Sequence, residues 1–422
     1  MSVAKITFYF LLVTLLAVGV STTAFAFHEG GVGECAGCHS MHSPAAGGTR
    51  LLVGTDPSSA CLTCHEHAGD TGPFSYHIST NLADMPAGTA PLQRTPGGDF
   101  GWLKKSYTFL LDGITTTDDG ANMGHDIKAV DFGYTGRSNN PTTAPGGTFS
   151  TANLGCNSCH DAHGRTRRLA TGTLATTGAP IKGSGSYTDA ANEPDATGAV
   201  GLYRLLAGPG YTQGGVTFDG APAAKVQSSY NRSEDTTSTR VAYGAMTTTG
   251  HQTWGDWCAT CHPGMHSASA YVHPVDASFG NGTDTNYNQY VKSGDMTGGA
   301  GATAYTSLVP FAIATTAYTD LVTAAGSTAG AGSTSRVMCL SCHRAHASGF
   351  LYMLRWEQEY EFITKVVSGV TSYGGTDVAP TDNALSRGRT NAEKQASYYD
   401  RPAVTYFATY QRVLCNKCHA KD

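Results

Sequence analysis

Six copies of the motif Cys-x-x-Cys-His use all twelve cysteines of the 422-residue chain. Two thiols three positions apart can attach one haem, and the histidine that follows then lies under the iron as its proximal ligand. Zinc ribbons do not explain a histidine after every second cysteine, and a disulfide framework does not explain the strict spacing. The motifs therefore predict six covalently bound c-type haems. The predicted attachment residues are Cys35, Cys38, Cys61, Cys64, Cys156, Cys159, Cys258, Cys261, Cys339, Cys342, Cys415 and Cys418, and the predicted proximal ligands are His39, His65, His160, His262, His343 and His419.

The second ligand of each iron decides the chemistry. The chain has 16 histidines, so ten remain after the proximal ones, and a full set of bis-histidine sites is possible. Such sites leave no open coordination position for a substrate, which favours electron transfer over catalysis. The methionines show no repeated placement relative to the motifs and are interpreted as core residues.

Several of the remaining histidines stand at fixed offsets from a motif. His42, His163 and His346 follow a proximal histidine by three residues, and His266 follows one by four. On a helix, these spacings place both rings on one face, so the second ring faces away from the distal side of its own haem. Its natural target is a second haem packed alongside, which predicts closely packed haems. The alternative for each of them is a hydrogen bond to a haem propionate or contact with solvent.

The first residues predict export. Lys5 is followed by an apolar run over residues 6–20 and by the small-residue site Ala24-Phe25-Ala26. This pattern is typical of a cleaved secretory signal and is short for a membrane span. We expect residues 1–26 to be removed and residues 27–422 to form a single hexahaem unit, with no transmembrane segment after cleavage. A retained N-terminal anchor is the alternative.

Composition limits the fold. Glycine accounts for 52 of 422 residues, and charged residues make up 14%, against a typical share of about 25%. The chain is also too short to give each of six haems a domain with its own apolar core. We predict a mostly irregular coil with few short helices and minor strands, packed around a chain of six haems. One helical patch is predicted over residues 351–367. The formal charge of −5 gives no indication of nucleic-acid binding.

Four segments carry a family resemblance: AGDTGPFSYHIST at 68–80, ADMPAGTAPL at 83–92, CLSCHRAHASGF at 339–350 and YQRVLCNKCHAKD at 410–422. In these segments the chain resembles the outer-surface hexahaem c-type cytochromes of metal-reducing bacteria. The resemblance implies a secreted, largely loop-built protomer that polymerises into an extracellular filament, or nanowire. It also implies six bis-histidine haems in a continuous stack, which carry electrons to external acceptors such as metal oxides or other cells.

The resemblance further implies a head-to-tail homopolymer. In it, His42 is donated to the haem of Cys339 and Cys342 in the next subunit. Outer-membrane electron-transfer cytochromes and extracellular electron acceptors are the other implied partners. The remaining distal candidates are His77, His125, His163, His346 and one of His273 or His266, with His28 and His67 in reserve, whereas His251 does not match the pattern and is expected not to be a ligand.

Two other classes of function share the haem motifs. A soluble periplasmic electron shuttle would stay monomeric, and His42 would then serve a haem of its own chain. A multihaem reductase would need one iron with an open or exchangeable position. No Cys-x-x-Cys-Lys motif is present and histidines are in surplus. An electron-transfer protein without enzymatic activity is therefore the favoured prediction.

Overall fold

The structure, a computed structural model, describes residues 35–47, 50–67, 76–137, 141–228, 233–234, 240–245, 253–266, 273–280, 282–299, 301–375 and 383–419. The predicted signal segment 1–26, His28 and His251 lie outside these ranges. The longest helix described has nine residues. The α-helices are Cys35–Cys38, Pro57–His65, Trp254–Ala259, Pro263–His266, Thr283–Gln289, Tyr318–Ala325, Cys339–Cys342, Asn383–Ser386, Asn391–Ser397 and Ala403–Tyr406.

The strands are equally short, and each described sheet has two or three of them. The predicted class, a mostly irregular chain with few helices and minor strands, is confirmed. The strands are Glu66–His67, Ser79–Thr80, Tyr107–Leu111, Ile114–Asp118, Lys128–Ala129, Tyr134–Thr135, Arg167–Arg168, Leu174–Ala175, Val200–Gly201, Thr212–Gln213, Val216–Thr217, Ala224–Val226, Val241–Gly244, Ala312–Ile313, Lys365–Val367 and Val370–Ser372.

Local sequence explains how a short helix presents a motif. The side chain of Asp56 accepts a hydrogen bond from the backbone N–H of Ser59 at 2.8 Å, and Pro57 occupies the first helical position. Both features favour a helix start. The helix ends at His65 because Glu66 is extended and pairs with Ser79. The result is a single capped unit that carries the cysteines and the histidine of the second motif.

The predicted helix over residues 351–367 is wrong. Only a 3-10 turn forms, at Leu351–Met353, and Tyr352 and Met353 have φ values of 57° and 50°. Backbone in this left-handed region cannot continue a right-handed helix. The end of the segment, Lys365–Val367, pairs with Val370–Ser372 in a hairpin. Leu354, Trp356 and Ile363 of this segment are buried, but they reach the interior from irregular backbone rather than from one helical face. Tyr352, Tyr360 and Val366 are exposed.

The interior is divided into several small clusters instead of one core. In the largest of them, Tyr373 and Tyr398 stack with ring centroids 4.9 Å apart. Cys342 and Cys418 pack against this cluster, and Cys156 packs against another. Attachment cysteines therefore lie at the borders of the protein clusters, where an apolar group bound to them would join one cluster to the next. No helix in the described ranges has the length and hydropathy to cross a membrane.

Candidate functional site

The six motifs, numbered here as sites 1 to 6 in chain order, form one row in space. None of the twelve cysteines, all of which lie in the described ranges, forms a disulfide. Each motif places a thiol close enough to a thiol of the next motif to interact with it electrostatically, and burial together with such neighbours raises the pKa of Cys159 to about 12. These contacts join Cys38 to Cys64, Cys61 to Cys156, Cys159 to Cys261, Cys258 to Cys339 and Cys342 to Cys415.

Five of the six predicted proximal histidines are oriented by backbone carbonyl groups. A carbonyl oxygen can only accept, so the bonded Nδ1 must carry the proton, and the lone pair of the neutral ring is then on Nε2. Metal-bound histidines are usually fixed in this way. The Nδ1-to-oxygen distances are 2.9 Å from His39 to Arg50, 3.2 Å from His65 to Tyr76, 2.9 Å from His160 to Arg204, 2.9 Å from His262 to Pro145 and 2.8 Å from His343 to Tyr352.

At sites 1, 3 and 5, the carbonyl group that accepts the hydrogen bond from the motif histidine belongs to a repeated backbone arrangement. We call this arrangement the carbonyl clamp (residues 50–53, 204–207 and 352–355). Its acceptor residue has a positive φ: 60° at Arg50, 50° at Arg204 and 57° at Tyr352. In each clamp, the second residue accepts from the amide that follows the proximal histidine, at 2.7 or 2.8 Å. The fourth residue donates to the carbonyl of the second motif cysteine, at 2.8 or 2.9 Å. Sites 1, 3 and 5 are therefore structural repeats.

Sequence reasoning missed these clamps. The signal that marks two of them is the tripeptide Arg-Leu-Leu at 50–52 and 204–206, and Tyr-Met-Leu stands in the third at 352–354. The tripeptides are not spaced regularly, and left-handed backbone is uncommon for arginine, leucine or tyrosine. Nothing in the composition of a tripeptide predicts that conformation, so the repeat is visible only in the structure.

Histidine pairs lie at the spacing that a shared metal requires. Two metal–nitrogen bonds of about 2.0 Å, with about 1.15 Å from each nitrogen to its ring centroid, place opposed imidazole centroids about 6.3 Å apart. The observed centroid distances are 6.4 Å for His39 and His163, 6.4 Å for His160 and His346, 6.2 Å for His262 and His125, and 6.0 Å for His419 and His273. At site 2, burial lowers the pKa of His65, and the nearby His77 contributes to this shift.

Two of the paired rings, His125 and His346, are in the protonation state that binds metal. Burial, together with the neighbouring histidines, lowers the pKa of His125 to about 4 and that of His346 to about 3. Both rings are therefore neutral near pH 7, and a neutral imidazole is the form that ligates a metal. His125 also donates from Nδ1 to the carbonyl of Ala345 at 2.7 Å. A hydrogen bond from Nδ1 to a backbone carbonyl thus orients His125, a distal candidate, as it orients the predicted proximal ligands.

Two of the histidines that follow a motif by three residues, His163 and His346, lie against a histidine of an earlier site; we call these two the offset histidines. The ring of His163, which follows site 3, lies against His39 of site 1, and the ring of His346, which follows site 5, lies against His160 of site 3. The backbone at these two offsets is not helical, in contrast to the face-sharing arrangement that the spacing suggests. In each case, the second histidine reaches the site two places earlier in the chain.

The other candidates are not brought into such pairs. His42 is exposed, and within the described ranges no second histidine ring lies at the pair spacing against His343 of site 5. His266 instead has its Nε2 3.1 Å from a carboxylate oxygen of Asp276. The backbone of His67 pairs with that of Thr80 in a short parallel sheet.

The close approach of Gly98 to the backbone of Ala347, the residue after His346, gives a first testable prediction. Gly98 has φ +94°, and a Cβ added there would lie 1.7 Å from the carbonyl oxygen of Ala347. We expect Gly98→Ala to push the 346–347 backbone away, to lower the free energy of unfolding by about 2–4 kcal/mol, and to weaken the contact between His346 and His160. Chemical denaturation and the high-spin fraction of the haem iron, measured by electron paramagnetic resonance, check the two effects.

Gly113→Ala is the matched control. Gly113 has φ +80° but nothing within 4 Å of an added Cβ, so this variant carries the same backbone penalty without the clash. It is expected to keep the normal spin state. Equal behaviour of the two variants would contradict the proposed positioning of His346.

Comparisons with known proteins agree with the geometry. No protein-family model matches the chain. The C-type cytochrome OmcS of Geobacter sulfurreducens is 51% identical over 426 residues, which cover 94% of this chain and 95% of that protein. Two solved structures, one of the OmcS nanowires and one of the Outer Membrane Cytochrome S filament of that organism, share 49% identity with a TM-score of 0.84 and cover 94% of this chain and 100% of theirs. The chain therefore belongs to the OmcS family of c-type cytochromes, which bind haem covalently.

Proposed function

We propose that this protein is the protomer of an extracellular filament that conducts electrons from the cell to external acceptors, such as metal oxides or other cells. It acts as an electron-transfer protein and not as an enzyme. Residues 27–422 form the exported protomer after removal of residues 1–26. Outer-membrane electron-transfer cytochromes are the partners that feed the filament. The filament itself is a head-to-tail homopolymer.

The proposed cofactors are six c-type haems, which supply reversible one-electron chemistry when bound. The twelve motif cysteines attach them, and the six motif histidines are the proximal ligands. The lack of disulfides among these cysteines, the fixed Nε2 lone pairs and the ring spacings near 6.3 Å support this assignment. The proposed distal ligands are His163 at site 1, His77 at site 2, His346 at site 3, His125 at site 4, His42 of the next subunit at site 5, and His273 at site 6.

The filament proposal rests on the contacts of the offset histidines with sites two places earlier in the chain. His346 reaches from site 5 to site 3, and His163 reaches from site 3 to site 1. By the same rule, His42 of site 1 belongs to a site two places before the start of its own chain. If the row continues head to tail into a neighbouring subunit, that position is the neighbour's site 5. Site 5 has the same carbonyl clamp as sites 1 and 3.

A contact of this kind also determines the type of assembly. The two ends of the subunit are different surfaces, so the interface is heterologous, and a heterologous interface that does not close produces a filament. The exposure of His42 and of its neighbour Met41, of which 78% is accessible, fits a segment that is covered on assembly. In a monomeric shuttle, His42 would instead have to serve a haem of its own chain, and a reductase would need an iron with an exchangeable position.

Electron cryo-microscopy of the haem-containing fraction sheared from the cell surface tests the proposal, with protein identity checked by mass spectrometry. We expect filaments whose density shows six haems per subunit and the His42 ring crossing the joint to the haem of Cys339 and Cys342. Discrete particles, or filaments in which His42 serves a haem of its own subunit, would overturn it.

A further inference from the structure

Asp256, His266 and Asp276 form a mixed imidazole and carboxylate cluster that the haem sites do not use. The Nε2 atom of His266 lies 3.1 Å from Oδ2 of Asp276 and 3.5 Å from Oδ1 of Asp256. One nitrogen and two carboxylate oxygens of these residues lie within 4.8 Å of one another. Ligands bound at about 2.0–2.2 Å around one metal ion have mutual distances in this range.

The cluster has more acceptors than protons. Oγ1 of Thr253 lies 2.7 Å from Oδ2 of Asp256 and also 2.7 Å from Oδ2 of Asp276. A hydroxyl group carries one proton and can donate to only one of these oxygens. The other short contact therefore joins two oxygen acceptors. A cation between the carboxylates removes this conflict, since each oxygen then has a positive partner.

The surrounding backbone holds the two carboxylates together. A Cβ on Gly255 would lie 2.1 Å from Oδ2 of Asp276, so only glycine leaves room for the carboxylate at this position. Asp276 has φ 66°, and its backbone is fixed by a 2.8 Å hydrogen bond from its amide to the carbonyl of Val337. This carboxylate is thus presented from constrained backbone on both sides.

We propose that Asp256, His266 and Asp276 bind a divalent first-row transition metal ion such as Zn²⁺, separate from the haem iron. The imidazole ligand decides the class of ion. Ca²⁺ and Mg²⁺ prefer all-oxygen sites, whereas Zn²⁺ and its neighbours accept a histidine nitrogen together with carboxylates. His266 is then a ligand of this ion and not a distal ligand of haem.

The site lies beside the row of haem motifs. The hydrogen bond with Cys339 and burial are the main causes that raise the pKa of the Cys258 thiol of site 4. The Asp276 carboxylate contributes to this shift and also acts on the Cys339 thiol of site 5. A bound dication would neutralise this negative charge between the two sites. It would thereby favour the reduced state of the groups attached there.

Metal binding by the purified holoprotein tests the inference. After treatment with a chelator, equilibrium dialysis against Zn²⁺ is followed by metal analysis, with Ca²⁺ as the comparison ion. We expect about one additional Zn²⁺ per subunit and no stoichiometric Ca²⁺. Asp276→Asn and His266→Gln are each expected to weaken Zn²⁺ binding at least tenfold. Asparagine tolerates a positive φ, so Asp276→Asn preserves the backbone.

The matched control is Asp295→Asn, which makes the same chemical change in an exposed turn where Asp295 bonds Thr297. It should bind Zn²⁺ like the parent protein. Absence of stoichiometric Zn²⁺ binding, or unchanged binding by the Asp276 and His266 variants, would overturn the site and leave a cluster that shares a proton. A high-spin haem signal in His266→Gln would also overturn it, because His266 would then be a haem ligand. Filament assembly is scored separately, so the two proposals fail independently.

Discussion

His42→Ala is expected to abolish long filaments while all six haems remain attached. The variant keeps every Cys-x-x-Cys-His motif, so covalent attachment is unaffected. It removes the one imidazole that the backward rule assigns to the neighbour's site 5, and with it a metal–ligand bond across the joint. Mass spectrometry of the intact protein checks haem content, negative-stain microscopy checks particle length, and electron paramagnetic resonance should show one haem in six as high spin.

Added imidazole separates ligation from assembly. Free imidazole is expected to restore the low-spin signal of the His42→Ala variant without restoring filament length, because it fills the coordination position but is not tethered to a second subunit. His251→Ala is the matched control, since His251 is predicted not to be a ligand, and it should assemble normally. Normal filaments from the His42 variant would exclude a cross-subunit ligand at this residue.

Glu234→Gln is expected to cause the largest loss of stability of the variants considered. The Glu234 side chain is fully buried, and its Oε2 lies 2.9 Å from Nη1 of Arg344 and 3.2 Å from Nη1 of Arg355. Both guanidinium groups are also buried, so removing the carboxylate charge leaves two positive charges without their anion. The expected decrease in the free energy of unfolding is about 3–5 kcal/mol.

This network holds site 5 in place. Arg344 follows His343 directly, and Nε of Arg355 donates to the carbonyl groups of Leu340 and His343 at 2.7 and 3.2 Å. The high-spin fraction at site 5 should therefore rise in Glu234→Gln before global unfolding. Glu361→Gln is the control, because the ion pair of Glu361 with Arg412 is exposed and is expected to contribute less than about 1 kcal/mol. Equal denaturation midpoints for the two variants would contradict the assigned role of Glu234.

Sequence reasoning was most informative where one short motif carries the whole chemical requirement. The predictions for the attachment cysteines and proximal histidines rest on local spacing alone, and the glycine-rich, weakly charged composition correctly predicts a chain of turns and short elements. Distal positions are different because distant segments form them. His125, for example, is oriented by the carbonyl of Ala345, 220 residues away. No local pattern records such a contact.

The errors have a related physical cause. The helix-like spacing is that of Leu351, Leu354, Tyr360, Ile363 and Val367. Leu354 and Ile363 enter one core cluster from irregular backbone, whereas Tyr360 is exposed, so this spacing does not report a helical face. The offset of three between His343 and His346 also resembles a helical turn. His343 is nevertheless extended, with φ −112° and ψ 156°. In this chain, the hydrogen bonds between a motif and its carbonyl clamp outweigh the local helical preference that the sequence spacing suggests.

The contacts of the offset histidines with earlier sites also imply an order in which the haem sites of a subunit obtain their distal ligands during export. Export begins at the N-terminus, so the first motif leaves the cytoplasm well before residue 163, and the third leaves well before residue 346. With the proposed ligands His163, His346 and His42, sites 1 and 3 would therefore wait for later parts of the same chain, whereas site 5 would wait for another molecule. A newly exported subunit should accordingly bind carbon monoxide or cyanide at one haem, and incorporation into the growing end should remove this sensitivity.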